Sequence, residues 1–157
     1  MSTTHPHPPG PVHNDDEAQI RAEIQSWTDA IRRKDVEAAL PHFAHQAVRF
    51  FLAPPLETEA PLRENLESWF RTFQGEICYE LRQLTVTAAG GIGFSHSINR
   101  ITGTKTDGQQ ANLWFRETLC FQKIDNRWRI IHAHDSVPFY LDGTHRAAVD
   151  LQPTSLG

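Results

Sequence analysis

The sequence predicts an α+β fold in which three helices lie on one face of a long antiparallel sheet. Two observations carry that prediction. Apolar residues recur at helical spacing through the first half of the chain. From residue 76 onward they sit in strand-like runs separated by turn residues. No internal repeat is visible, and 157 residues make one domain, large enough to bury roughly 68–70% of its unfolded surface.

Residues 1–14 are rich in Pro, His, Ser and Thr and are predicted to form a disordered tail. His5, His7 and His13 lie there, but nothing fixes the geometry a metal would need. Asn14 or Asp15 then caps the first helix, with acidic residues in its first turn where the dipole favours them. Ile20, Ile24, Trp27 and Ile31 make one apolar stripe, and Arg32, Arg33 and Lys34 close the helix. Asp35 caps a shorter helix carrying Val36, Leu40 and Phe43. Residues 47–53 (AVRFFLA) read as a strand ended by Pro54 and Pro55. Residues 61–74 read as a third helix with Leu62, Leu66, Trp69, Phe70 and Phe73 on one side and Gly75 past its end.

The remainder reads as strands at 76–88, 92–104, 109–123 and 127–137, joined by Gly90-Gly91, Thr106-Asp107-Gly108 and Asp125-Asn126. Three successive hairpins make a meander. The single domain is expected to span 15–141, followed by a tail, 142–157, with a short helical turn at 144–149.

Composition narrows the function classes. A net charge of −4 with Lys and Arg scattered singly gives no nucleic-acid footprint, and no nucleic-acid partner is expected. No apolar run approaches the ~20 residues of a membrane span. The N-terminus has neither the basic start nor the apolar core of a secretory signal, so a soluble cytoplasmic protein without a membrane partner is expected. Cys78 and Cys120 are too few for a disulfide framework and read as buried reduced thiols on strands. No Gly-rich loop opens a helix to cradle a phosphate, so no nucleotide cofactor is implied.

The stretch 112–139, NLWFRETLCFQKIDNRWRIIHAHDSVPF, carries the most information. It places Arg116, Glu117, His132, His134 and Asp135 among apolar neighbours, and buried charge is costly unless it is paired or in use. A three-residue loop ending at Asn126 pairs Leu119 with Ile131 and Glu117 with Ala133. A three-residue loop at 106–108 pairs Glu117 with Ser97 and Phe115 with Asn99. Strict alternation then puts Ser97, Asn99, Phe115, Glu117, Leu119, Ile131, Ala133, Asp135 and Val137 on the face toward the helices. His96, Ile98, Arg100, Trp114, Arg116, Thr118, Ile130, His132, His134 and Ser136 fall on the other. Glu117 and Asp135 become diagonal neighbours, roughly 7–8 Å apart at the backbone. Two carboxylates in an apolar pocket raise each other's proton affinity, which suits acid–base chemistry. Uneven spacing of His96, His132 and His134 on a sheet argues against a metal site, and none is expected.

The segments WTDAIRRKDVEAALPHFA (27–44), FFLAPPLE (50–57), NLWFRETL (112–119) and WRIIHAHDSVPF (128–139) resemble the nuclear transport factor 2 superfamily. The resemblance is closer to its SnoaL-like, ketosteroid-isomerase-related branch, and covers residues 17 to 152. The last segment is also similar to the end of the calcium/calmodulin-dependent kinase II association domain. The resemblance implies a cone-shaped curved sheet with the helices on its concave face and a pocket at the open end. It also implies a homodimer through the outer face bearing Trp114, Arg116, His132 and His134.

The resemblance to ketosteroid isomerase places Glu117 where that enzyme has a neutral hydrogen-bonding acid. The isomerase's tyrosine falls on Trp27 and its aspartate base near Phe51, so any chemistry must be arranged differently. The expected activity is therefore cofactor-independent proton transfer next to a carbonyl of a small apolar molecule, giving isomerisation, cyclisation or dehydration. Glu117 and Asp135 are the candidate catalytic residues, and Trp27, Phe51, Ser97, Asn99 and Phe115 line the substrate. The alternative is a non-catalytic small-ligand-binding or assembly module with the same pocket.

Overall fold

The computed structural model describes residues 15–56 and 61–154, so the N-terminal tail and its histidines lie outside the described residues. The elements are α1 (Asp15–Arg33), α2 (Val36–Ala39) running into a 3-10 turn (Leu40–His42), β1 (Phe43–Phe50), α3 (Leu62–Phe70), β2 (Phe73–Ala89), β3 (Ile92–Lys105), β4 (Gln110–Ile124) and β5 (Arg127–Ser136). The strands form one curved, open sheet in the order β1-β5-β4-β3-β2. All pairs are antiparallel except β1, which lies parallel to β5. The expected meander is thus β2 to β5, and β1 covers its β5 edge.

The helix α1 buries the predicted stripe of Ile20, Ile24, Trp27 and Ile31, together with Thr28 and Ala30. It stops because Lys34 turns left-handed (φ 55°). The Asp35 amide then donates to the Ala30 carbonyl at 2.9 Å and the Lys34 amide to Ile31 at 3.0 Å, the double bond of a Schellman cap. The Asp35 side chain caps α2 through the Ala38 amide at 3.0 Å. On β3, Gly93 allows α1 to sit close: a Cβ there would come within 2.5 Å of Ile20 Cδ1.

Three boundaries differ from the sequence reading. The first strand begins at Phe43 and ends at Phe50, leaving Phe51 beyond it, because its ladder partner β5 engages residues 48–50. The third helix ends at Phe70 rather than 74. Thr72 is instead captured by the Thr106 amide (3.0 Å), and Gly75, with φ 65°, lies at a register shift inside β2. Residues Thr144–Val149 form no helix: Phe139 bridges Ala147 and the Tyr140 amide donates to Arg146 at 2.9 Å.

One core cluster joins the helices to the inner sheet face and contains Trp27, Ile31, Leu66, Phe70, Phe115, Leu119 and Ile130. Ile131 was expected there, but Ile130 takes the place. The β4–β5 loop has two residues, Asp125 and Asn126, both left-handed (φ 49° and 62°), so Ile124 pairs Arg127. This is the primed turn that suits a right-twisted hairpin. It shifts the register by one and turns Trp128 and Ile130 inward.

Candidate functional site

Along β4, Phe115, Glu117 and Leu119 are buried while Arg116 and Thr118 are exposed, the period-two pattern of a strand with one face on a core. Glu117 pairs with Ser97 on β3, as predicted, and with Asp135 on β5. The predicted partner on β5 was Ala133, with Asp135 diagonal. A register shift at Ile131 adds a second step to the one introduced by the turn, so Asp135 keeps its inward face and stands directly opposite Glu117.

The two carboxyls are close enough to share a proton. Asp135 as a residue is half-buried, yet its Oδ1 is sealed from solvent with no donor of another residue on it. Asn99 Nδ2 donates to Glu117 Oε1 at 2.9 Å and to the Tyr79 hydroxyl at 3.0 Å. Tyr79 in turn donates its O–H to Glu117 Oε2 at 3.2 Å. The Tyr79 ring meets Phe115 edge-on at 6.0 Å. Ser97 is buried at the Glu117 position of the neighbouring strand.

Burial sets the electrostatics. Removal from water pushes the Glu117 carboxyl up from 4.5 to about 7, against the opposing pull of its hydrogen bonds from Asn99, Tyr79 and Asp135. Asp135 is raised well above the ordinary carboxylate range, by burial first and then by the neighbouring Glu117 charge. Tyr79 is raised too, by burial and by both carboxyls, so it stays a hydrogen-bond donor. Both carboxyls are thus held toward their protonated forms, and they titrate as a pair rather than one by one. Such a pair can take a proton from carbon at one oxygen and return one from another.

Tyr79 was not foreseen. Its signal is the alternation Ile77, Tyr79, Leu81, but a register shift between Arg82 and Thr85, with Gln83 left-handed (φ 54°), reverses the faces of β2. Counting back from the Gly90-Gly91 turn without that bulge points Tyr79 outward. Of the residues assigned to the substrate, Ser97, Asn99 and Phe115 gather around Glu117. Trp27 does not belong to that cluster's bonded network: its ring packs on Phe43 at 5.0 Å and on His42 at 6.5 Å. Phe51 packs half-buried against the core.

A cavity of about 630 Å³ opens where the 3-10 turn, β1 and the start of α3 meet, lined by Leu40, Phe43, Ala44, His45, Gln46, Ala47, Arg49, Pro61, Leu62 and Arg63. Neither Glu117 nor Asp135 lines it. Arg49 connects the two regions, since it is buried and pairs with Ala133, two residues before Asp135.

The outer sheet face is bonded within the chain. The Arg82 and Arg100 guanidinium groups lie 5.8 and 5.4 Å from the Trp114 ring. Arg116 Nε donates to Ser136 Oγ at 3.1 Å, and His132 Nδ1 meets the Val48 carbonyl at 2.9 Å. Phe50 lies edge-on to both His132 and His134. In the observed register Thr118 lies between His96 and His134, and His132 faces Cys120. Among the described residues no group of three or more His, Cys, Asp or Glu is placed to hold a metal ion. No described helix is long and apolar enough to cross a membrane.

Comparison with known proteins agrees with this architecture. The family model of the SnoaL-like domain matches residues 20–140. Among solved structures, an NTF2-like protein of unknown function from Pseudomonas putida superposes with a TM-score of 0.79 at 29% identity, over 88% of this chain and 97% of its own. A ketosteroid isomerase-like protein from Erwinia carotovora gives 0.63 at 20% identity, over 78% and 96%. An NTF2-like superfamily protein from Salmonella enterica gives 0.69 at 19% identity, over 83% and 96%. A search of curated proteins finds no significant match.

Proposed function

The chain belongs to the SnoaL-like domain family, and from that premise we propose that it is a cofactor-independent enzyme transferring a proton next to the carbonyl of a small apolar molecule. The observation that carries this reading is the buried Glu117–Asp135 pair, with Tyr79 and Asn99 hydrogen-bonded to Glu117. One carboxyl with an affinity near neutral pH acts as the base. Its protonated neighbour Asp135 supplies a hydrogen bond for the developing enolate oxygen, while Tyr79 and Asn99 hold the base in place. Isomerisation, cyclisation and dehydration all begin with that step. A solved neighbour named a ketosteroid isomerase-like protein supports the same reaction class.

The test is exchange of α-protons for deuterium in a panel of small apolar ketones such as 2-tetralone, followed by NMR. The wild type should accelerate exchange over buffer. Glu117→Gln keeps the shape, removes the base and should slow exchange by roughly a hundredfold or more. Exchange that survives Glu117→Gln but is lost in Asp135→Asn moves the base to Asp135. No acceleration across the panel refutes the enzyme reading.

A second reading has its own observation: the cavity at the 3-10 turn, β1 and α3 lies away from Glu117, which is only 7% exposed. That favours a ligand-binding module in which the pair is a fixed polar element of the core. We also propose a homodimer through the outer face of Trp114, Arg116, His132 and His134.

A further inference from the structure

Strand β2 is the outermost strand of the sheet, and its register breaks twice, between Gln74 and Cys78 and between Arg82 and Thr85. Gly75 (φ 65°) and Gln83 (φ 54°) turn left-handed at the two breaks. The stretch between them, Cys78–Arg82, carries Tyr79 and has a ladder partner on one side only, that of β3. An edge stretch isolated in this way needs a further anchor if its side chains are to keep a fixed depth.

Helix α1 and the residue that ends it supply the anchors. Lys34 Nζ donates to the Phe73 carbonyl at 3.0 Å, before the first break, and Arg21 Nη1 to the Leu84 carbonyl at 3.4 Å, within the second. Arg32 serves the stretch between. Its Nε and Nη2 both donate to the Tyr79 carbonyl, at 3.0 and 2.6 Å. Its remaining arm, Nη1, is fixed by Asp29 at 2.7 Å, and Asp29 also accepts from Gln25 at 3.0 Å. At the far end of Tyr79 the hydroxyl accepts from Asn99 and donates to Glu117 Oε2 at 3.2 Å. That separation is already about 0.4 Å beyond the usual O–H···O distance of about 2.8 Å. A further drift of a few tenths of an ångström forfeits the bond, and a rigid ring passes any backbone drift to its hydroxyl.

We propose that Arg32 is a positioning residue: its fork on the Tyr79 carbonyl sets how far the phenol reaches and so holds Glu117 in place. The role rests on the proton-transfer reading for its use and on these hydrogen bonds alone for its existence.

The experiment follows the Glu117 carboxyl by carbon NMR in full-length protein with labelled glutamate, the resonance assigned by its loss in Glu117→Gln. The Tyr79 bond favours the ionised carboxylate. Arg32→Met should therefore raise the midpoint of that titration by about half a pH unit or more. Arg32→Lys keeps the charge without the fork and should raise it by less. A wild-type midpoint in either variant, when that variant unfolds cooperatively, overturns the proposal. Loss of charge or of general packing would act whether or not the phenol is there, so Arg32→Met is repeated in Tyr79→Phe. There the added shift should vanish, and a shift of the same size overturns the proposal. Exchange of α-protons is measured on the same samples. A wild type without exchange removes the chemistry and leaves the link from Arg32 to Glu117 standing. Where the wild type does exchange, Arg32→Met should move the acidic limb of the pH profile upward with the midpoint, and a fixed limb overturns the positioning role.

Discussion

Arg116 and Glu117 are consecutive residues on one strand, and they live under opposite electrostatics. Arg116 is exposed and hydrogen-bonds Ser136 at 3.1 Å on the outer face. Glu117, one pleat away, is buried among Tyr79, Asn99, Phe115 and Asp135 and holds its proton to about pH 7. The sheet is a thin boundary: moving 3.3 Å along the chain reverses the face, and with it whether a charge is solvated or strained. The outer face also distributes its cations around acceptors and rings, with Arg100 held by Glu80 and Asn112. On the inner face two acids confront each other, an arrangement that costs stability and that the proposed proton transfer would use.

The strongest way to break this comparison is to titrate it. Glu117 has its folded pKa raised above the unfolded value, so its favourable contribution is complete below about 4.5 and is lost as pH rises to about 7. The shift corresponds to roughly 3 kcal/mol. Asp135, raised in the same direction, adds to that loss as pH rises. The lowered carboxyls Glu37, Asp142 and Asp150 are exposed and act in the opposite sense, as pH falls below the ordinary carboxylate range. Urea unfolding should therefore give a higher midpoint at pH 5 than at pH 8. Glu117→Gln should flatten that difference. A midpoint that rises from pH 5 to pH 8 would show that the inner acids are not buried as described.

Replacing Tyr79 by Phe is a smaller perturbation that sharpens the picture of the inner face. It removes one donor from Glu117 Oε2 while leaving the Asn99 bond to Oε1. The stability cost should be about 1 kcal/mol. Because the Tyr79 bond favours the ionised form, its loss should raise the Glu117 pKa further. The pH profile of α-proton exchange should accordingly move its acidic limb upward, and the rate at neutral pH should fall by about tenfold. An unmoved limb would mean that Tyr79 does not act on Glu117.

The uneven legibility of the site follows from where its hairpins deviate from ideal pairing. The loop at 106–108 obeys its turn chemistry, so Ser97, Asn99, Phe115 and Glu117 are all readable from their spacing. Between β4 and β5 two irregularities add up: a two-residue turn and a register shift at Ile131. Their sum is even, so Asp135 keeps its predicted face and only its partner changes. Trp128 and Ile130, lying between them, see the first alone and change sides. In β2 a single shift, near Gln83, lies between the Gly90-Gly91 turn and Tyr79, and it hides Tyr79. Side-chain alternation survives a pair of bulges and fails at one. The parallel docking of β1, which buries Arg49, is a long-range pairing that no local turn encodes.

The outer face allows the gentlest change. Arg116→Glu removes one hydrogen bond from an exposed side chain, so the folded protomer should lose no more than about 0.5 kcal/mol. Association is where the effect should appear. Around Arg116 the face carries the Trp114 ring with two guanidinium groups against it, and Phe94 is 45% exposed further along β3. In a two-fold interface each substitution occurs twice, and new acids meet one another or their own image across the axis. Sedimentation should therefore show a dimer for the wild type and a monomer for Arg116→Glu, with α-proton exchange per protomer unchanged. A wild type that sediments as a monomer, or a variant that remains a dimer, removes this face from assembly. A variant that dissociates and also loses exchange would show that the two faces are coupled through the sheet, contrary to the separation their electrostatics imply.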